Sequence, residues 1–387
     1  MSSILKADTP QPATGQRIES IDATRGVALF LILFSHCVQS FFATHSYVGT
    51  GAADIWSMKL FAILSFHKSM MLFALLFGLS FFFQIRKAAA QGGTGNARGF
   101  LARLGWLALF GYINGVFDRW DMLLPFALCG LVLPLLWRLP TCWLFAAALI
   151  LLCHPLSQLC SLLDITDPLQ RFLQMHLPAA PDTQASSWSE LAAWNISARI
   201  PWILAKLYLN QRVFDVTGMF LLGFCLGRSR ILEPQGAGRL LHVCCGLAAL
   251  LLLGYAVRHS VHAANGAFKL FMPYLDVIQA LSYAAFFSLL FNWRPMACPR
   301  RFMAGIGKST LSCYMSQGVI LSFLMYGWGL GWAETLSASQ KAMVAIIVFL
   351  FQMAACELLL KKWRLCPMEM LWRHLVSRSV NASGRAR

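Results

Sequence analysis

Charge is what this sequence has least of. Only 12% of its 387 residues are charged, 16 of them acidic, against 58% hydrophobic. A typical soluble domain carries about 25% charged residues, so a soluble protein with a mostly polar exterior is excluded. Chemical signatures are scarce too. No CxxC pair, HExxH or GxSxG occurs, which removes the usual signals for a structural zinc, a metalloprotease and a nucleophile elbow. His45, His67, His154, His242, His259 and His262 show no joint spacing with carboxylates that suits a metal, and none is expected. The first sixteen residues, MSSILKADTPQPATGQ, are too polar for the core of a signal peptide, and no A-x-A site follows. The expectation is an uncleaved signal anchor. Apart from the turn QGGTGNARG there is no low-complexity segment, and there is no clear repeat or soluble domain.

What is present is a succession of apolar runs of about twenty residues, the length a helix needs to cross a hydrocarbon core of roughly 30 Å. The fold class expected is an all-α, polytopic integral membrane helix bundle of about ten transmembrane helices. The spans fall near 24–43, 67–86, 101–118, 121–137, 142–160, 213–231, 240–257, 270–291, 308–331 and 342–361. Residues 1–23 form a cytoplasmic segment, 24–361 the membrane domain, and 362–387 a basic cytoplasmic tail. The longest polar connection, 161–212, lies on the outer side; its second half, LAAWNISARIPWILAKLYL, has the composition of a helix lying among lipid headgroups. The twelve cysteines sit mostly in or beside apolar runs and read as small packing residues.

The formal charge of +16 suggests nucleic acid, but the cations form short clusters between apolar runs rather than a stripe on a soluble face. They read as topology signals. With ten spans, the side carrying both termini holds 22 of the 32 basic residues and the other side ten. Both termini are therefore expected in the cytoplasm of a bacterial inner membrane, with the bilayer as partner and no nucleic acid.

The first span carries a polar stripe. Arg25 and His36 are eleven residues apart, which returns a helix to within about 20° of the same face after about 16 Å of rise. Asp22 and Gln39 extend the same face. With Arg25 at the cytoplasmic mouth, His36 falls near the midplane, where an ionisable ring must face the bundle interior or a hydrated cavity. It reads either as packing glue between helices or as a proton-handling group, with Arg25 able to hold phosphate.

Further candidates lie elsewhere. Phe117-Asp118-Arg119-Trp120-Asp121 is a turn with Asn114 one helical turn before it, suited either to a polar substrate or to capping the next helix. Asp121 is the residue of this turn to replace first. GIGKST at 305–310 resembles the end of a phosphate loop, but position 302, where glycine is required, holds Phe302. What remains is Lys308 at the start of a span, where a helix N-terminus can receive an anion. Ser312, Tyr314, Ser316 and Gln317 make the ninth span polar, either for interhelical packing or to line a cavity with His36. The tail PMEMLWRHLV reads as an interfacial anchor.

The arginine followed after ten residues by histidine, in the form RGxA and an apolar run, resembles the first-helix motif of integral-membrane acyltransferases that acetylate extracytoplasmic sugars. That resemblance implies an acyl-coenzyme A donor and makes Arg25 and His36 the positions carried over. More of the chain resembles the bacterial YeiB-like inner-membrane proteins, a domain-of-unknown-function family related to those enzymes. The matching pieces are RIESIDATRGVAL, FALLFGLSFF, RLGWLALFGYINGVFDRWDMLLPFALCGLV, TGMFLLGFCLGRSRIL, GIGKSTLSCYMSQGVILSFLMYGWGLG and CPMEMLWRHLV. YeiB-like members often carry asparagine where His36 stands and histidine where Asn114 stands; this chain has the two exchanged. Two functions follow as expectations. In the first, an enzyme transfers an acyl group from a coenzyme A thioester to an extracytoplasmic glycan or lipid-linked acceptor. Arg25 and Lys308 meet the donor, which is a co-substrate rather than a bound cofactor. His36 is then the catalytic base or acyl carrier, and Gln39, Asn114, Asp121, Ser312 and Gln317 contact the acceptor. In the second, a transporter or lipid-handling protein uses the same stripe as a path. A packing protein without chemistry is the third possibility.

Overall fold

The computed structural model describes residues 19–39, 49–90, 97–154, 171–172, 175, 179, 181–209, 211–231, 237–260 and 272–385, and among these it contains helices and no strand. The expected all-α class holds. Residues 1–18 and most of 155–180 lie outside the described residues. In chain order the helices are α1 (Glu19–Val38), α2 (Ala52–Leu60), α3 (Lys68–Ala90), α4 (Ala97–Asn114), α5 (Leu123–Gly130), α6 (Val132–Leu136), α7 (Thr141–Leu152), α8 (Trp188–Ser197) and α9 (Arg199–Leu209). They continue with α10 (Arg212–Ser229), α11 (Ala237–Ser260), α12 (Met272–Asn292), α13 (Ala297–Lys308), α14 (Thr310–Met325), α15 (Trp332–Thr335), α16 (Ala338–Lys362) and α17 (Pro367–Arg385).

Five segments among the described residues are long and apolar enough to cross a membrane: Glu19–Val38, Ala52–Ala88, Gly238–Tyr255, Tyr274–Asn292 and Ala338–Lys362. Length and composition therefore do not single out ten. Some expected spans are broken: 121–137 is two short helices, and 308–331 starts only after the chain leaves α13 at Ser309. The apolar surface is that of a membrane protein. Leu250, Leu252 and Leu253 on α11 and Ile347, Phe351 and Leu358 on α16 are exposed along helices of full bilayer length, a patterning that water does not tolerate and lipid does.

Two close helix crossings organise the interior. At α3 and α10, a Cβ on Gly223 would lie 1.9 Å from the Leu75 carbonyl oxygen, and one on Gly78 2.0 Å from that of Phe220. At α1 and α13, a Cβ on Gly307 would lie 1.7 Å from the Asp22 carbonyl oxygen. Backbones this close exclude any side chain, and contact over small residues is how helices associate when lipid removes the hydrophobic drive. Aromatic rings fill the space beside them, Phe77 stacked on Phe220 at 4.8 Å and Phe81 tilted against Phe100 at 4.1 Å.

The crossings sort the helix ends into two groups. The start of α1, the end of α13, the start of α14 and α17 meet at one, the arginine end. At the other, the histidine end, the last turn of α1 meets the α4–α5 turn and the starts of α3 and α10. The end of α7 joins α10 there, and the start of α12 joins α3. Helices α8 and α9 close over this end: Trp202 is buried against Trp120 and Trp194, with ring centroids 4.9 Å and 5.8 Å away.

Candidate functional site

At the arginine end Arg25 is already engaged. It donates to Asp22 at 2.5 Å and to the Ser80 hydroxyl at 2.5 Å, so α1 and α3 are tied through its guanidinium. Lys308 is the last residue of α13 rather than the first of a span. The helix N-terminus expected to receive an anion belongs to α14, one residue further on, and it holds an anion of the protein itself. Glu369, from the PMEMLWR tail, accepts from the backbone N–H groups of Leu311 at 2.7 Å and Ser312 at 3.1 Å, and from the Ser312 hydroxyl at 2.5 Å. A carboxylate satisfying the orphan donors of a first turn is an N-cap supplied from a distant segment. Burial pushes the Glu369 carboxyl above its ordinary range, against the opposing pull of those hydrogen bonds. The tail is thus bound to the bundle through a buried glutamate as well as through its apolar face, which places Met368, Trp372 and Leu375 against the core.

Ser312 is therefore a partner of Glu369, some way from His36. Gln317, 3% exposed, donates to the Gln352 side chain at 2.9 Å, and Gln352 donates to the Cys313 carbonyl and the Ser316 hydroxyl. That network joins α14 to α16. Of the polar residues on the ninth expected span, only Tyr314 reaches the cavity described next, and its hydroxyl accepts from the Met122 N–H at 2.9 Å.

At the histidine end His36 and Gln39 border a cavity of about 50 Å³ with Ser35, His67, Ser69, Trp120, Arg212 and Tyr314, the remainder of the wall being apolar, such as Ile32, Phe73 and Phe126. That is room for a few waters or one small polar group. His36 stands in the last turn of α1, level with the ends of other helices, rather than midway along the bundle. Its Nδ1 lies 3.7 Å from the Asp118 carboxylate, whose other oxygen accepts from the Trp120 N–H at 2.9 Å. Asp118 is 1% exposed, so ring and carboxylate meet with little water between helices.

Asp121 has the capping role. It is fully buried, accepts from the N–H groups of Leu123 and Leu124 at the start of α5, and receives the Asn114 amide at 2.9 Å. Asn114 and Asp121 therefore hold the turn that carries Asp118, and neither borders the cavity. Around it the histidine end is lined with polar pairs: Lys68 with Asp276 at 3.1 Å, His67 with the same carboxylate at 3.9 Å, and His154 with Asp215 at 2.8 Å. Three residues here, His67 (φ 59°), His154 (φ 45°) and Gln211 (φ 57°), adopt left-handed backbone. Side chains other than glycine enter that region at a cost of order 1 kcal/mol each, and such strain tends to collect at functional sites.

Three of these groups escaped the sequence reading. Asp118 lay in the turn singled out, but Asp121 was preferred. Arg212 and His67 open spans, and the reasoning that gave weight to Arg25, a cation at the mouth of a span, applies to them equally. Among the described residues no group of three or more His, Cys, Asp or Glu side chains has a geometry that could hold a metal ion.

Fold and site together define a class: a helical membrane protein whose polar chemistry is concentrated in a small cavity among helix ends. Residues 226–379 match the family "Protein of unknown function (DUF418)". Over 384 residues the chain is 25% identical to the "Uncharacterized protein YxaH" of Bacillus subtilis (strain 168), covering 93% of this chain and 94% of that one. Over 404 residues it is 26% identical to the "Uncharacterized protein YeiB" of Escherichia coli (strain K12), covering 94% and 97%. The similarity to YeiB and YxaH thus extends over more than nine-tenths of the chain.

Proposed function

We propose that the protein transfers an acyl group to an acceptor bound at the histidine end, with His36 as general base and Asp118 holding the imidazole. The observation that carries this reading is the facing of His36 Nδ1 and the buried Asp118 carboxylate at 3.7 Å in the wall of a cavity. A carboxylate on one ring nitrogen leaves the other to take a proton, the arrangement that general-base catalysis requires, and such contacts shorten when substrate binds. The acceptor hydroxyl gives its proton to His36 Nε2 as its oxygen bonds to the acyl carbon of a thioester. The carbon–sulfur bond breaks, and the proton passes on to the departing thiolate.

The donor is a coenzyme A thioester and the acceptor an envelope glycan or lipid, with the protein in a bacterial inner membrane and both termini cytoplasmic. The cations Arg25 and Lys308 share the arginine end because Gly307 backs onto Asp22. Arg25 lies about 16 Å along α1 from His36, so donor phosphates and the transferred group occupy opposite ends of one helix. Membranes carrying the protein are expected to move label from acetyl-coenzyme A to an envelope fraction. His36→Ala lowers that rate by about 10²–10⁴-fold and Asp118→Asn by less. Undiminished transfer by His36→Ala removes the role assigned to the ring. Uptake of label into vesicles without transfer identifies a transporter instead.

A further inference from the structure

Arg212 does not enter the step above, and its surroundings are unusual. It is the first residue of α10, its side chain borders the cavity, and its Nε is buried without a hydrogen-bond partner. Among the described residues no carboxylate oxygen lies within ion-pair distance of it. Asp215, one turn along the same helix, is taken by His154 at 2.8 Å. Nearby, Lys68 is paired with Asp276 at 3.1 Å, and the Arg119 guanidinium, on the α4–α5 turn, donates to the Pro181 carbonyl. A guanidinium in an apolar bundle with no carboxylate in contact, Asp215 acting on it only through space, is costly, and membrane proteins place such a group where an anion meets it. Further features favour negative charge at the same spot. Helices α3 and α10 both start at the cavity wall, His67 preceding one and Arg212 opening the other. The N-cap of α10, Gln211, makes no side-chain capping bond, so backbone donors of that first turn face the cavity end beside Asp215. Trp120 lies under the guanidinium, ring centroid 6.0 Å from Cζ, and fixes its plane.

We infer that the cavity is an oxyanion-binding site in which Arg212 holds a phosphate or carboxylate group of the ligand, with the His36–Asp118 pair beside it. Resting on the acyl-transfer reading, this makes the acceptor an anionic molecule, oriented by its charged group while its hydroxyl faces His36. Phosphate and carboxylate share this chemistry, and the phosphate has two sources: a soluble ion or glycan phosphate, and a lipid headgroup.

The test is binding without any acyl donor, so that its outcome is independent of whether transfer occurs. The full chain is purified into phosphatidylcholine nanodiscs and titrated with inorganic phosphate and with acetate, while unfolding temperature and tryptophan emission are followed. A second preparation contains phosphatidylglycerol. Saturable binding is expected in phosphatidylcholine discs. Arg212→Gln weakens it by about ten- to a hundredfold, and Arg212→Lys restores part of it. If the occupant is a headgroup, the phosphatidylglycerol discs are stabilised in wild type but not in Arg212→Gln, and added phosphate has little further effect. Labelling of native protein by an arginine-selective dicarbonyl keeps the test open should Arg212→Gln fail to fold: modification of Arg212, read by mass spectrometry, is slowed by the anion or by the anionic lipid. Equal anion affinity in Arg212→Gln, or labelling of Arg212 that neither anion nor lipid slows, overturns the assignment. Binding that persists while His36→Ala leaves acyl transfer intact refutes the catalytic reading alone.

Discussion

The arginine end and the histidine end share one helix, α1, yet they treat polar groups in opposite ways. At the arginine end Arg25 is chelated by Asp22 and Ser80, Glu369 takes three donors from α14, and a guanidinium further along the same side, Arg228, donates to the carbonyls of Leu139 and Trp137. The backbones there touch through Gly26 and Gly307. At the histidine end His36 and Asp118 stand 3.7 Å apart, Arg212 lacks a carboxylate, three residues are left-handed, and a cavity separates the elements. Close backbone packing with charges paired inside the protein is what stability asks for; loose pairs, strain and space are what a site needs if a ligand is to complete it. The arginine that resembles a donor-binding group in sequence is thus tied to α1 and α3 by hydrogen bonds, and the arginine proposed to hold the ligand's anionic group lies at the other end.

The comparison breaks most readily at Gly307. Valine there brings a side chain against the Asp22 backbone, which has no flexible atom to yield, and the α1–α13 crossing must open. A loss of more than about 3 kcal/mol is expected, seen as loss of monodisperse protein or a large fall in unfolding temperature. If Gly307→Val were as stable as wild type, the arginine end would not be the rigid half.

Glu369 tests the same half more gently. Glu369→Ala leaves two backbone donors and a hydroxyl of α14 without their acceptor, for a loss of about 2 kcal/mol, whereas Glu369→Gln keeps an acceptor and loses less. The pH dependence has a definite sign. Burial holds this carboxyl above its unfolded value, so the folded state binds the proton first. The stability it contributes is full below the unfolded pKa and falls as pH rises through the folded one. Unfolding temperature should therefore climb on mild acidification from neutral pH, and Glu369→Gln should flatten that climb. An opposite slope shared by both proteins would mean that the hydrogen bonds, and not burial, govern the group.

Much of this was legible in the residues. Apolar runs located α1, α3, α10, α12 and α16, because helix periodicity and bilayer length constrain sequence directly. The turn at 117–121 and the stripe through His36 to Gln39 were each singled out, and the structure brings them together at His36 and Asp118. What was not legible depends on contacts between distant segments. Nothing local in PMEMLWR says that its glutamate caps a helix 57 residues earlier. Ser312 and Gln317 are polar on a span whichever neighbour they face, and only the packing of α16 and α17 shows that neighbour to be Gln352 or Glu369. The break at Ser309 was hidden because GIGKST reads as the start of a helix, whereas here it ends one and begins another.

His67 gives the smallest effect and the finest contrast. Its left-handed backbone costs about 1 kcal/mol that glycine would not incur, while glycine adds freedom to the unfolded chain and removes the imidazole stacked on Phe66 at 4.4 Å. These terms nearly cancel, so His67→Gly is expected to unfold within about 1 kcal/mol of wild type, although it removes a residue bordering the cavity. In a half built for stability the loss of such a side chain would exceed about 2 kcal/mol, as at Glu369. Near-neutral stability combined with weakened phosphate binding would show that strain at His67 is maintained for the ligand. A large loss of stability with unchanged binding would make the histidine end a second structural anchor and erase the difference between the two ends of α1.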